Sequence, residues 1–406
     1  MKLTNYHWNL FANLSQSIFA WLILLSMVKT GNQTDLGVYT YIQSIVLPIQ
    51  LFFTLKLRTI QNADFDNEFS YFEYHNLRFV MSVLNMVIVA LFVLAFDVDN
   101  KLVYLVMALT YSLYIIRESY ISLVQKINRN DVFFKMNLIS GTVSFLCFIL
   151  PYILFKELAL SLFLSFFSRF LIYIFVEKKL AEPFIDKLKS KNIARGAYQR
   201  IFIRAWPLAI TALTSALFTS IPRVLIEKEL GINDLAIYGA LSSLLFFINI
   251  LVNSFVQSSL PDFARLYNES LSKFVGGFIS IITKLLVVSM SCSVLVYFFG
   301  EQFLTILFTS EYADYTKELM FIFISGVSLS LFSVGNLLLS SQKSFNVQLP
   351  IYVIVALLIF ISSYLLIPNI GMLGAICSQI IGYIVGFILC LLYFKFKCNN
   401  TKTAKV

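Results

Sequence analysis

The sequence predicts an all-α, polytopic membrane protein. Three observations carry that fold class. First, 59% of the 406 residues are hydrophobic and only 13% are charged, with a mean hydropathy of +0.81; a soluble domain is about a quarter charged. Second, the apolar residues fall into many runs of roughly 20 residues, the length a helix needs to cross a bilayer. Third, every connection between runs is short, the longest reaching from Val176 to Ile201. No soluble domain fits into such loops, so the activity is expected within the membrane.

Twelve spans are predicted, at 8–29, 37–57, 77–97, 102–125, 133–155, 157–177, 202–222, 235–258, 274–299, 318–341, 345–367 and 371–394. The first run is too long for a signal-peptide core, and no small-residue cleavage site follows it. It is therefore read as a span kept in the mature chain. The spans form two pseudo-symmetric six-helix lobes, 1–180 and 201–396, joined by a basic linker at 181–200 and followed by a tail at 397–406. With twelve spans both termini lie on one side. Roughly 23 Lys and Arg fall on that side and about 6 on the other, the bias of a cytoplasmic face. Much of it comes from the 178–200 loop, with Lys178, Lys179, Lys187, Lys189, Lys191, Arg195 and Arg200. That loop reads as a topology signal and linker, with anionic lipid or a protein partner as the alternative. The net charge of +9 comes mostly from this loop and its neighbours, so it is not a nucleic-acid footprint.

Catalytic and metal chemistry find little support. Cys147, Cys292, Cys377 and Cys390 lie in apolar runs and Cys398 in the tail, with no metal-ligand spacing. His7 and His75 sit at span edges, as interfacial side chains. No nucleophile–base pair stands out, no phosphate-binding loop is present, and no metal or other cofactor is expected.

The two halves carry matching polar stripes. Gln43, Gln50, Thr54 and Arg58 in span 2 recur at steps that share one helix face. Ser242, Asn249, Asn253 and Gln257 in span 8 repeat the pattern, each 199 positions on, as in 242 − 43 = 199. Asn9, Asn13 and Gln16 mark span 1. Thr211 and Thr214 answer them in span 7, extended by Ser215, Thr219 and Arg223. Amides are unfavourable against lipid, so these faces point at protein or at a water-filled cavity. Interhelical hydrogen bonding is the competing account. Span 4 adds Glu118, Ser122, Gln125 and Arg129. Arg117 and Glu118 point about 100° apart and do not pair with each other. Lys284 falls about ten residues into span 9, near mid-bilayer, as a possible cavity charge. Arg169 lies nearer a cytoplasmic end, where its guanidinium can snorkel.

At these residues the chain resembles a known family. Trp206-Pro207-Leu208, Ile221-Pro222-Arg223, Leu230-Gly231, Leu235-Ala236-Ile237-Tyr238 and Pro261 are similar to the second half of polysaccharide-unit flippases. In the first half Gly37-Val38-Tyr39, Pro48, Leu57-Arg58, Glu118-Ser119 and Gln125-Lys126 are similar to their spans 2 and 4. The family is the O-antigen (Wzx-type) flippases, within the superfamily of multidrug and oligosaccharidyl-lipid exporters. The resemblance implies a two-lobed transporter, not an enzyme, whose spans 1, 2, 7 and 8 line a central cavity. Its substrate is an undecaprenyl-pyrophosphate-linked oligosaccharide, an O-antigen or capsule repeat unit. It is moved across the inner membrane, from the cytoplasmic to the periplasmic leaflet, by alternating access coupled to protons or sodium. A polysaccharide polymerase and a chain-length regulator are implied partners, besides the membrane lipids. An exporter of drugs or small metabolites is the alternative.

The substrate-binding residues expected on this reading are Asn13, Gln16, Gln50, Thr54, Arg58, Thr211, Ser215, Thr219, Arg223, Asn249, Asn253 and Gln257, with Glu118 as the ion-coupling group. Ile221-Pro222-Arg223 is read as the end of span 7, placing Arg223 at the cavity mouth, and Glu227 to Asp234 as a solvated hairpin. There Arg223 either binds pyrophosphate or anchors in the interface beside Glu227.

Overall fold

The computed structural model describes residues 5–30, 32–64, 67–185, 196–245, 263, 265–266, 271–342 and 344–403. Among them there is helix and no strand, as the composition predicts. Ten helical segments are long and apolar enough to cross a membrane. Of the two further predicted spans, 235–258 runs into residues outside the described set, and 274–299 lies on a 37-residue helix.

The chain divides into two compact units, Met1–Ala216 and Leu217–Val406. The first contains α1 (Asn5–Lys29), α2 (Gln33–Phe53), α3 (Leu57–Ala63), α4 (Tyr71–Ala95), α5 (Lys101–Lys126), α6 (Asn130–Phe155), α7 (Leu158–Ile172) and α8 (Lys178–Ile185). A π-helical turn, Tyr173–Glu177, joins α7 to α8. Local chemistry starts these helices where it should. Asn32 accepts from the Asp35 N–H at 3.2 Å ahead of α2. Ser70 and Glu73 cap α4 reciprocally, at 2.6 and 3.3 Å.

The predicted span 2 is not one continuous helix. It breaks after Phe53, where Leu55 and Lys56 take left-handed φ values of 50° and 49°. A left-handed residue cannot continue a right-handed helix. Arg58 therefore sits on α3 and leaves the face shared by Gln43 and Gln50.

A 34-residue helix, α9 (Ala197–Leu230), crosses the unit boundary in sequence. It corrects the predicted end of span 7 at 222: the helix runs through Pro222 for two further turns. Pro222 lacks the N–H that would bond the Phe218 carbonyl, and Gln379 Nε2 donates to that carbonyl instead, at 3.1 Å. Glu227, Lys228 and Glu229 thus belong to the last turns of α9 and not to a hairpin. Leu217–Val406 then continues through α10 (Ile232–Ser242), α11 (Leu271–Leu307), a 3-10 segment (Ser310–Tyr315), α12 (Thr316–Ser341), α13 (Phe345–Ile370) and α14 (Met372–Thr403).

Each unit has its own core. In the first, Ala12, Tyr120, Leu123, Phe133 and Met136 pack together, and Phe53, Tyr74 and Ile115 close on Ala197, Ile201, Ala205 and Ala209. In the second, Phe218, Phe332, Val355, Ile359 and Tyr383 form one cluster and Phe263, Phe274, Phe278 and Leu337 another. Large apolar side chains such as Leu94, Leu154, Phe298 and Ile306 lie exposed on the outside. Lipid, not water, accounts for that surface.

Candidate functional site

In the first unit the polar residues of six helices, α1 and α3 to α7, gather in two clusters. Gln125 of α5 is the hub of one. Its carbonyl accepts from Arg58 Nε at 2.7 Å and Asn62 Nδ2 at 3.2 Å, and its amide donates to Asn9 Oδ1 at 2.9 Å. Arg58 also lies over the Phe133 ring, 5.0 Å from its centroid. Beside it Arg78, 1% exposed, donates to Gln61 and Ser122, both at 2.8 Å. Ser122 in turn donates to the Glu118 carbonyl at 2.6 Å. The Glu118 carboxylate acts on Lys56, Arg58 and Arg78 together. Three cations around one half-buried carboxylate make this end of the unit electropositive.

In the second cluster the sequence points to Gln16, Arg117 and Arg169 but not to Asn137 or Glu177. Arg117 of α5 grips Glu177 with Nε at 2.7 and 2.8 Å from the two carboxylate oxygens, and with Nη2 at 2.7 Å from Oε1. Nη2 also donates to Asn137 Oδ1 at 2.8 Å, and Asn137 Nδ2 donates to the Ala12 carbonyl at 2.8 Å. Glu177 is fully buried and Arg117 4% exposed. The sequence marks Glu177 only as the last residue of a span, before two lysines. The π turn carries it inward instead, and π turns recur at functional positions. Arg169 does not snorkel as expected. It donates to the Tyr114 hydroxyl, lies 5.3 Å from that ring's centroid, and lines a small gap with Gln16, Phe19, Arg117, Asn137, Ser140 and Gly141. An aromatic hydroxyl and a buried carboxylate nearby hold it better than lipid head groups would.

The expected binding residues distribute unevenly. Asn13 is half-buried and donates to the Asn9 carbonyl at 3.0 Å. Gln16 is exposed on α1. Gln43 donates to Tyr111 at 3.3 Å. Gln50 and Thr54 are buried, and Thr54 returns its hydroxyl to the Leu51 carbonyl at 2.8 Å. Thr211, Thr214 and Ser215 bond carbonyls of their own helix at 2.9, 2.8 and 2.7 Å. That is how hydroxyls settle in an apolar helix. Thr219 is half-buried on α9.

Within the second unit, Arg223 is 6% exposed and donates to Ser242 at 3.4 Å. It acts on Tyr238 and Tyr383. Tyr238 donates to Gln379 at 3.2 Å, and Gln379 donates to the Phe218 carbonyl at 3.1 Å. Arg223 is thus packed among aromatic and amide groups, where the sequence placed it at an open mouth. Lys284 is exposed on α11 and not enclosed. Asn249, Asn253 and Gln257 lie outside the described residues.

Among solved structures, the chain superposes on the inward-facing conformation of a multidrug resistance MATE family transporter of the MOP superfamily. The TM-score is 0.70 at 11% identity, covering 98% of this chain and 100% of that one. A MOP superfamily transporter from Pyrococcus furiosus gives a TM-score of 0.66 at 11% identity, over 98% of this chain and 95% of that one. The protein therefore has the multi-pass helical fold of the MOP-superfamily transporters. No family model matches the chain. The capsular polysaccharide biosynthesis protein CapF of Staphylococcus aureus is 28% identical over 410 residues, covering 96% of this chain and 98% of that one. The resemblance to polysaccharide flippases of this superfamily, read from the sequence, is borne out by a relative and a fold that agree over nearly the whole length.

Proposed function

We propose that the protein is a flippase that carries an undecaprenyl-pyrophosphate-linked oligosaccharide, a capsule-type repeat unit, across the cytoplasmic membrane by ion-coupled alternating access. The observation that carries this reading is the full-length relative named for capsular polysaccharide biosynthesis, on a transporter fold. The polar interior of the first unit supports it. Arg58, Arg78, Arg117 and Arg169 outnumber Glu73, Glu118 and Glu177 there. Such an interior favours an anionic head group such as pyrophosphate and disfavours cationic drugs, which counts against the exporter alternative.

On this reading Arg58 and Arg223 supply charge-assisted hydrogen bonds to pyrophosphate. Asn13, Gln16, Gln50, Thr54, Thr211, Ser215 and Thr219 offer neutral donors and acceptors to the sugar. The two lobes give the substrate access to one face of the membrane and then to the other. Both termini face the cytoplasm, and a polymerase and a chain-length regulator receive the product on the opposite side of the membrane. The coupling ion is a proton or sodium.

The test is reconstitution. Proteoliposomes containing the purified chain and a fluorescent undecaprenyl-pyrophosphate oligosaccharide are assayed for transfer between leaflets with a membrane-impermeant quencher. Protein-dependent transfer supports the proposal. Absence of transfer, together with efflux of cationic dyes from the same vesicles, replaces it with the exporter.

A further inference from the structure

The Arg117–Glu177 pair has the parts of a two-position switch. Glu177 sits on the only π-helical turn among the described residues, with no exposure to solvent. The groups that face it are Arg117 and Tyr120 from α5, Arg169 from α7, and Tyr173 from its own turn. Arg117 already holds a second acceptor, Asn137 Oδ1 on α6. Asn137 reaches Gln16 Oε1 on α1 at 3.5 Å, across the gap that Arg117 and Arg169 also line. Arg117 therefore has one partner on the π turn, Glu177, and another on α6, Asn137, which itself contacts α1.

We propose that Glu177 is the carboxylate that takes up and releases a proton during the transport cycle. The bound proton neutralises Glu177, and the Arg117 guanidinium, still charged, moves wholly onto Asn137 and the gap beside Gln16. Loss of the proton draws it back. The change redistributes hydrogen bonds between the π turn and α1, a small local event of the kind that packed helices convert into discrete shifts. The coupling part of this inference rests on the flippase reading; the protonation of Glu177 does not.

Difference infrared spectroscopy on the purified full-length chain tests the protonation itself. On acidification the carbonyl stretch of a buried protonated carboxylic acid is expected in the wild type and absent from Glu177→Gln. Glu177→Asp, which keeps a carboxyl group, should displace the band; it decides the matter if the Gln variant is not recovered. No such band in the wild type, or an identical band in the variants, overturns the proposal. In proteoliposomes with the fluorescent polyprenyl-pyrophosphate oligosaccharide, Glu177→Gln should abolish the acceleration of transfer by a proton gradient. An undiminished gradient response overturns the coupling role. If the wild type moves no probe, the flippase reading fails, and the infrared titration still decides whether Glu177 is protonated.

Discussion

At the scale of single residues, the molecule depends on charges kept out of water. Arg117 and Glu177 have side-chain exposures of 5% and 0%. Removing one partner strands the other, and such losses cost about 3–5 kcal/mol. Arg117→Ala should therefore lower the thermal unfolding temperature sharply in detergent. The double variant Arg117→Met with Glu177→Leu should recover most of that loss, because the apolar pair occupies a similar volume without desolvated charge. A double variant as unstable as Arg117→Ala would show that the hydrogen bonds to Asn137 matter more than the ion pair.

Arg223 poses a different question. A charge-assisted hydrogen bond contributes about 1.5–3 kcal/mol, so Arg223→Ala should reduce surface glycan per inserted molecule roughly tenfold or more. Arg223→Lys keeps the charge without the planar fork and should retain part of the activity. If Arg223→Ala instead removes the protein from the membrane, the packing with Ser242, Tyr238 and Tyr383 is its main role.

At the scale of elements, close approach of helices limits what side chains can be present. The turn between α13 and α14 uses Gly371 at φ 61°. Three residues on, a Cβ added to Gly374 would lie 2.5 Å from the Leu366 carbonyl carbon and 2.6 Å from its oxygen. Those are backbone atoms and cannot rotate away. Gly374→Ala should destabilise the second unit by about 1–3 kcal/mol, read as a lower unfolding temperature and less protein in the membrane. Unchanged stability would mean that the α13–α14 hairpin opens at little cost. The break between α2 and α3 is the other decisive element. By turning the chain at Leu55 and Lys56 it delivers Arg58 to Gln125, where an unbroken helix would have kept Arg58 in line with Gln50.

At the scale of the whole molecule, topology is the checkable statement. Reporter domains fused at Lys189 and at Thr401 should both report the cytoplasm, because the Lys and Arg of the 178–200 loop hold it there. An outward signal at either site reverses the orientation and with it the direction of transport. Neutralising Lys187, Lys189 and Lys191 together should disturb insertion more than transport per inserted molecule.

The helical class and most span positions follow from the sequence alone, because roughly 20 apolar residues have one stable arrangement in a bilayer. Asn9, Gln43, Arg58 and Gln125 were also legible, since amides and guanidinium groups in apolar runs stand out and need partners. Their partners were not legible. That Arg58 meets Gln125, and that α9 runs on through Pro222 to bury Arg223, depend on backbone angles and on neighbours distant in sequence. Glu177 shows the limit most clearly. In sequence it is a charge beside two lysines at a span end. Only the π turn, which rotates it inward, and Arg117, 60 residues away, make it a buried ion pair. A hydropathy pattern reports what a residue is surrounded by along the chain, whereas burial and pairing are decided by what packs against it in space.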